Sequence, residues 1–346
     1  MDEPGLEGCI IDPRALSASQ LADWERLGST VPALGSPFLS AHYAQAVADA
    51  GVDTRVCVLS RDGVTRGFFA FQFANRMARQ LGSAAPLGAA MSDYVGLVAA
   101  PDLRLSPARL LQLAQLNHFG FSHLDASQCL HGLNGEQPRI GLRIRLDTGA
   151  DDPLAILLAD RHKYRKDTER RARQLVKEVA PLRFEFDLDG PERALTLGKL
   201  IEEKRAQYQR TGAPDALAAP WQSLLLHNLG GQRAGSCRGI LSCLWVGDDW
   251  LAMHFGIMGN GILQYWLPVY NPAFAKFAPG RLLIHHVIGA SVAAGFHTID
   301  RGEGDTPSKR ETANDEHQYL RGVWHNDSLS SRLTRGYHSL KWRLDA

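Results

Sequence analysis

Glu303, Asp305 and Lys309 stand close together late in the sequence, in and just after the stretch Arg301-Gly302-Glu303-Gly304-Asp305. A carboxylate can take or orient a proton, and an ammonium group can offset negative charge that develops during a reaction. The same mixture of glycine and charge also makes an ordinary solvated loop, so residue type alone leaves both readings open. Pro279-Gly280-Arg281-Leu282 is a second candidate. Here Pro-Gly opens an apolar helix, whose unpaired N–H groups and positive dipole end suit a phosphate. Gly280 would let the backbone approach that ligand, and Arg281 would add charge. The plainer reading is a loop that ends in a helix start. Lys163, Lys166, Arg170, Arg173 and Lys177 recur at spacings of three and four, on one face of a helix. Tyr164, Thr168, Ala172, Leu175 and Val179 form a drier face. The basic stripe suits a lipid-diphosphate sugar, an anionic membrane surface or tRNA, or is a solvated face paired with Asp167 and Glu169. The 13 histidines show no metal-binding spacing. His285 and His286 are helix neighbours that point apart, and His254 reads as a satisfied buried histidine.

The elements that must position these residues are those of a globular chain. It has 346 residues, 45% apolar and 22% charged, which excludes general disorder and suits one large domain or two ordinary ones. The net charge of +1 speaks against a strongly basic nucleic-acid binder. No apolar run is long enough for a transmembrane helix, and the polar, acidic start lacks the features of a secretory signal. Cys9, Cys57, Cys129, Cys237 and Cys243 have no CxxC spacing and fit a reduced compartment. Cys237 and Cys243 read as small core residues, with zinc a remote alternative. A cytoplasmic protein is expected.

Ser40 caps a helix from about Ala41 to Ala50. Thr54–Leu59 and Arg66–Phe73 make a hairpin about Arg61-Asp62-Gly63. Ala85–Val98 is a loop running into a short strand, Ser106–His118 a helix, and Phe121–Leu124 and Ile140–Leu146 are strands. A polar stretch near Gly149–Pro153 divides the chain into domains 1–150 and 151–346. The second opens with one charged helix, Pro153–Val179, followed by a strand, Arg183–Leu188, and helices Pro191–Arg210 and Trp221–Leu229. Arg238–Val246, Trp250–Met258 and Ile262–Val269 form an antiparallel meander with Gly247-Asp248-Asp249 and Gly259-Asn260-Gly261 as turns. A helix from Arg281 to Ala294, stopped by Gly295, and a strand, His297–Asp300, complete a β-β-β-α-β order.

Two motifs in that order carry a resemblance. Tyr270-Asn271-Pro272-Ala273-Phe274-Ala275-Lys276-Phe277-Ala278-Pro279-Gly280-Arg281-Leu282-Leu283 resembles the Y-x-P-x-(Y/F)-x-x-x-S-P-G-x-L-L stretch of the CelD-type branch of the GNAT superfamily, which is related to the Fem aminoacyltransferases. Asp300, Gly304, Asp305 and Lys309 match the D-F-x-x-G-D-x-x-Y-K motif that follows. Arg161–Arg173 resembles the basic helix opening the family's C-terminal domain, and Pro37-Phe38 and Pro86-Leu87 to Ser92-Asp93-Tyr94 are weaker signals. Arg301, Ser308 and Ala278 stand where the family has Phe, Tyr and Ser, so a phenolic proton donor at position 308 is absent. The resemblance implies an α/β GNAT fold, doubled into two GNAT-like domains with mixed, largely antiparallel sheets flanked by helices. It implies a bacterial N-acyltransferase of surface-polysaccharide synthesis, moving an acyl group from acyl-CoA, most often acetyl-CoA, to an amino group of a sugar or sugar-linked intermediate. Catalysis would then fall to Asp305, Lys309 and Glu303, donor binding to Gly280, Arg281 and Leu282, and acceptor binding to Lys166, Arg170 and Asp300. No metal and no nucleic acid are expected, and peripheral contact with the inner membrane fits a lipid-linked acceptor. A Fem-like enzyme using aminoacyl-tRNA is the alternative, disfavoured because no long helical hairpin follows Gly212. A non-catalytic scaffold in polysaccharide assembly is the third reading.

Overall fold

The computed structural model describes residues 2–31 and 34–326. Residues 327–346, the last part of the expected second domain, lie outside them. By internal contacts the chain forms two compact units, one reaching to Ile140 and taking in the chain again from Gln318, the other Gly141–His317.

The first unit begins with β1 (Glu7–Ile11), α1 (Ala18–Thr30) and α2 (Ala41–Asp49). Ser17 and Ser40 cap the two helices, each accepting a hydrogen bond from a backbone N–H of the first turn. β2 (Asp53–Arg61) and β3 (Val64–Phe73) form a hairpin whose turn residues Asp62 and Gly63 both have positive φ, the requirement of a tight two-residue turn. Then come α3 (Arg76–Gln80), β4 (Ser83–Pro86), β5 (Leu97–Ala99), α4 (Pro107–Leu113) and β6 (His118–Asp125). β1, β2, β3 and β4 are successive antiparallel neighbours, β5 also pairs with β3, and β4 runs parallel to β6. Phe69, Phe71, Phe119 and Leu124 centre the core.

β7 (Gln137–Arg145) leads into the second unit, which holds α5 (Pro153–Leu157), α6 (His162–Glu178), β8 (Leu182–Glu185), α7 (Glu192–Thr211) and α8 (Pro220–Gly231). The meander follows as β9 (Arg238–Val246), β10 (Asp249–Gly259) and β11 (Ile262–Tyr270). Gly247 and the pair Asn260-Gly261 supply the positive φ its two turns need. α9 (Pro279–Gly289), α10 (Ser291–Ala294), β12 (Thr298–Glu303) and α11 (Pro307–Arg310) lie beyond, and β13 (Asp315–His325) returns to pair with β6. The sheet order of the second unit is β7-β12-β11-β10-β9-β8, antiparallel except for β11 and β12. Apolar residues of α9, led by Leu283, Val287 and Ile288, pack into its core with Ile240, Leu244, Leu263 and Ile299.

Four expectations need correction. The charged helix Pro153–Val179 is two helices, α5 and α6. Arg161 leaves helical geometry at the break, and its guanidinium donates to the carbonyls of Arg310, Glu311 and Ala313, a tertiary demand that outweighs helix propensity. The helix expected to reach His118 stops at Leu113, because Gln115 turns left-handed and His118 already belongs to β6. The Arg301–Asp305 loop is strand as far as Glu303. The helix beginning near Arg281 starts at Pro279 and breaks after Gly289.

Candidate active site

β11 and β12 are paired only from Ile262 to Gln264 and from Thr298 to Asp300. Past Gln264 and Asp300 the strands part. The opening is a cavity of about 540 Å³, lined by Tyr265, Pro268 and Val269 of β11, Arg301 of β12, Gly280 and Arg281 of α9, Tyr164 of α6, Gln207 of α7, and Ser308 and Glu311. A bulge marks the point of divergence. Phe255 pairs with Leu267 and Ile257 with Gln264, so Tyr265 and Trp266 together face Gly256. Glycine is required there, since a Cβ would collide with the Gln264 carbonyl oxygen.

Pro268 sets the chemistry of the open edge. It lies opposite His254 of β10, and its carbonyl points to the open edge, the side on which proline has no N–H to leave unpaired. Lys204 of α7 donates to that carbonyl at 3.1 Å and to Gln207 Oε1 at 3.2 Å. Lys204 is buried, and among the described residues no carboxylate lies within ion-pair range of it. Burial alone pushes its pKa down to about 8. His254, stacked on Tyr265 at 4.1 Å, is held neutral by burial, with its pKa lowered to about 3.

Tyr164 crosses the cavity wall to His285, its hydroxyl 3.1 Å from Nε2. Burial raises the phenol to about 12, with the Glu311 charge adding to the rise, so it stays protonated. Burial lowers His285 to about 4, helped by His286 and Arg281, so it stays neutral. Arg281 stacks on the Tyr164 ring at 4.9 Å and is ion-paired with both Asp167 and Glu311. Gly280 has open space around the position of a Cβ. The helix start expected to receive a diphosphate therefore opens on the cavity.

The other expected residues lie elsewhere. Leu282 turns to a second cavity of about 520 Å³, shared with Phe184, His285 and His286. Asp305 is exposed and holds Arg310 through both carboxylate oxygens, at 2.6 and 2.8 Å. Those hydrogen bonds keep its pKa below the usual carboxylate value. Lys309 Nζ donates to the Glu303 carbonyl at 2.7 Å, a contact that closes the turn after β12. None of these three lines the cavity. Asp300 is 1% exposed, accepts from Arg143 Nε at 3.0 Å, and fixes the left-handed Gly302 by accepting its N–H at 2.8 Å. On α6, Lys166 is exposed, and exposed Arg170 pairs with Asp167 at 2.7 Å. Sequence reasoning missed Lys204, Gln207, Tyr265 and the Tyr164–His285 contact. A proline inside an otherwise regular strand was the available signal for the unpaired edge.

With this geometry in place, the family model described as "Acetyltransferase (GNAT) domain" matches residues 162–310, which hold all of the cavity lining except Glu311. Among solved structures the chain is similar to that of FemX, at TM-score 0.60 and 12% identity, covering 91% of this chain and 97% of that one. It is also similar to a conserved protein of unknown function from Bacteroides thetaiotaomicron, at TM-score 0.53 and 11% identity over 89% of this chain and 97% of that one. A third is the C-terminal domain of a putative lysylphosphatidylglycerol synthetase from Agrobacterium fabrum, at TM-score 0.50 and 13% identity over 92% and 97%. No curated protein matches. The fold is a GNAT fold, and residues 162–310 match an acetyltransferase domain of that kind, which supports acyltransferase activity. No described helix is long and apolar enough to cross a membrane.

Proposed function

We propose that the chain moves an acyl group from acyl-CoA, with acetyl-CoA the first candidate, to an amino group of a sugar or sugar-linked intermediate in bacterial surface-polysaccharide synthesis. One observation carries the donor half of this reading: a cavity between diverging parallel strands that opens beside the glycine-bearing start of α9. The diphosphate lies at Gly280, where the helix start leaves the Gly280 N–H unpaired and open space meets it. The thioester arm follows the free edge of β11. The amine nitrogen attacks the thioester carbonyl carbon, the C–S bond breaks, and the amine's proton passes to solvent water. The Lys204 ammonium stands at that edge to offset the oxyanion. Tyr164, kept protonated and touching neutral His285, gives its proton to the leaving thiolate and recovers one from solvent. The acceptor half rests on the motif likeness between Tyr270 and Lys309 and on exposed Lys166 and Arg170, which suit a diphosphate-bearing acceptor.

The test is calorimetry with acetyl-CoA, followed by thiol release on a panel of amino sugars. Binding and amine-dependent thiol release are expected. Transfer from aminoacyl-tRNA with none from acyl-CoA would replace this reading by the Fem-like one.

A further inference from the structure

Arg281 and Arg301 enter the same cavity from different sides, and only one of them has its charge answered. Arg281 is held by the carboxylates of Asp167 and Glu311. Arg301 has none. Its Nη1 donates to the Ser308 carbonyl at 3.0 Å, to Thr312 Oγ1 at 3.0 Å and to the Lys309 carbonyl at 3.4 Å. Among the described residues its Nε and Nη2 have no hydrogen-bond partner, and no carboxylate lies within ion-pair range. Glu311 acts on it only through space, because both oxygens of that carboxylate are turned to Arg281. Burial disfavours the charge that the side chain must nevertheless carry. One edge of a planar fork is thus fixed by the protein, while the other is left without an acceptor beside a cavity. Nε is buried where it stands, so the open donor is Nη2, and a guanidinium arranged in this way is set for an oxygen of a carboxylate or phosphate.

Granted the acyltransferase reading above, we propose that Arg301 selects the acceptor: the substrate amine carries a carboxylate or phosphate on the same molecule, and that anion pairs with the Nη2 side of Arg301. The donor diphosphate is assigned to the start of α9, whereas Arg301 lies across the cavity on β12 with Ser308 beside it. The Lys204 ammonium at the β11 edge deepens the positive character of the site. Such a site repels a simple protonated amine, and an anion on the acceptor offsets that repulsion.

The experiment compares paired acceptors, glucosamine against glucosamine 6-phosphate and β-alaninamide against β-alanine, with acetyl-CoA as donor. At least one member bearing a phosphate or carboxylate is expected to exceed its twin without one by about 30-fold in kcat/KM, within the range of a hydrogen-bonded charge contact. Arg301→Gln should remove that preference while the KM for acetyl-CoA stays within about twofold, and Arg301→Lys should restore part of it. Equal use of both members of each pair by the wild type would overturn the assignment. So would a preference that survives Arg301→Gln, or a loss of acetyl-CoA affinity as large as the loss of acceptor preference, which would give the guanidinium to the donor. Should Arg301→Gln not fold, Arg301→Lys decides, since a retained charge without the fork must still weaken the preference. Calorimetry of glucosamine 6-phosphate and β-alanine without donor separates the two readings. Failure of acetyl-CoA to bind sinks the acyl-CoA reading, while loss of anion binding in Arg301→Gln is read independently of it.

Discussion

Both units insert a short parallel pair into a mainly antiparallel sheet, and they finish it in opposite ways. In the first unit Ser83 and Ala84 of β4 pair with His118 and Phe119 of β6, and the chain then turns through Gly88 and comes back. Val95 bridges to Leu124 of the same strand, and Tyr43 ties the turn by donating to the Met91 carbonyl at 2.6 Å. Aromatic side chains fill the space nearby: Trp24 stacks on Phe68 at 4.6 Å, and the cavity they line with Phe38 and Val95 holds about 10 Å³. In the second unit, among the described residues, no strand pairs with β11 on the β12 side beyond Gln264. The gap stays at about 540 Å³; Arg301 lines it and Lys204 lies behind it on the Pro268 carbonyl, and no carboxylate contacts either charge among the described residues. Closing such a gap with the chain's own side chains stabilises a fold. Leaving it open with buried charge costs stability, and that cost is explained if a ligand completes the site.

The contrast breaks most sharply at its two fillings. Phe68→Ala should lower stability by about 3–5 kcal/mol, because it empties a tightly packed aromatic contact. Acetyl-CoA affinity of the folded fraction should not change, and chemical denaturation with parallel calorimetry checks both. Gly280→Glu should do the reverse. Open space around its Cβ leaves folding intact, while a carboxylate at the helix start should weaken acetyl-CoA by about 100-fold.

Lys204→Met sharpens the account of the open edge. The folded pKa of about 8 lies below the unfolded value near 10.4, so the wild type pays for burying the ammonium fully below pH 8. Wild-type stability should therefore rise between about pH 8 and pH 10.4, while the variant loses that rise and gains about 1–3 kcal/mol at pH 7. Thermal melts across that range, with a turnover assay expected to show a loss, would check it. The smallest effect is expected at Asp305→Asn, where an exposed pair with Arg310 is broken outside the cavity. Turnover should change by less than about threefold, since exposed ion pairs contribute little. A large fall there would move the chemistry to the turn after β12.

Much of the frame was legible because local rules agree with the tertiary structure. Asp62-Gly63 and Asn260-Gly261 announce hairpins that the sheets contain, Ser40 caps the helix it precedes, and Gly212 ends α7 in a left-handed conformation. Gly280 and Arg281, singled out in the sequence, do line the cavity. The rest depended on contacts between distant residues. Lys204 and Pro268 meet only once α7 packs over β11, and Tyr164 meets His285 only across two helices. Asp305 and Lys309 sit in a dense, charged motif, yet their partners are Arg310 and the turn's own carbonyls. Arg301 reads in sequence as a departure from a family pattern. Its meaning lies in the burial and in the missing acceptor, neither of which spacing records. β13 escaped notice because its alternation is written largely in charged and polar residues that are half-exposed.

Hydrogen exchange followed by mass spectrometry, with and without saturating acetyl-CoA, tests most directly the claim that the second unit's gap is the donor site. Slower exchange is predicted in peptides covering residues 262–270 and 278–284, with no change in 64–99, and Gly280→Glu should abolish the protection at the same donor concentration. Protection confined to the first unit, or no protection at either β11 or α9 under saturation, would contradict it.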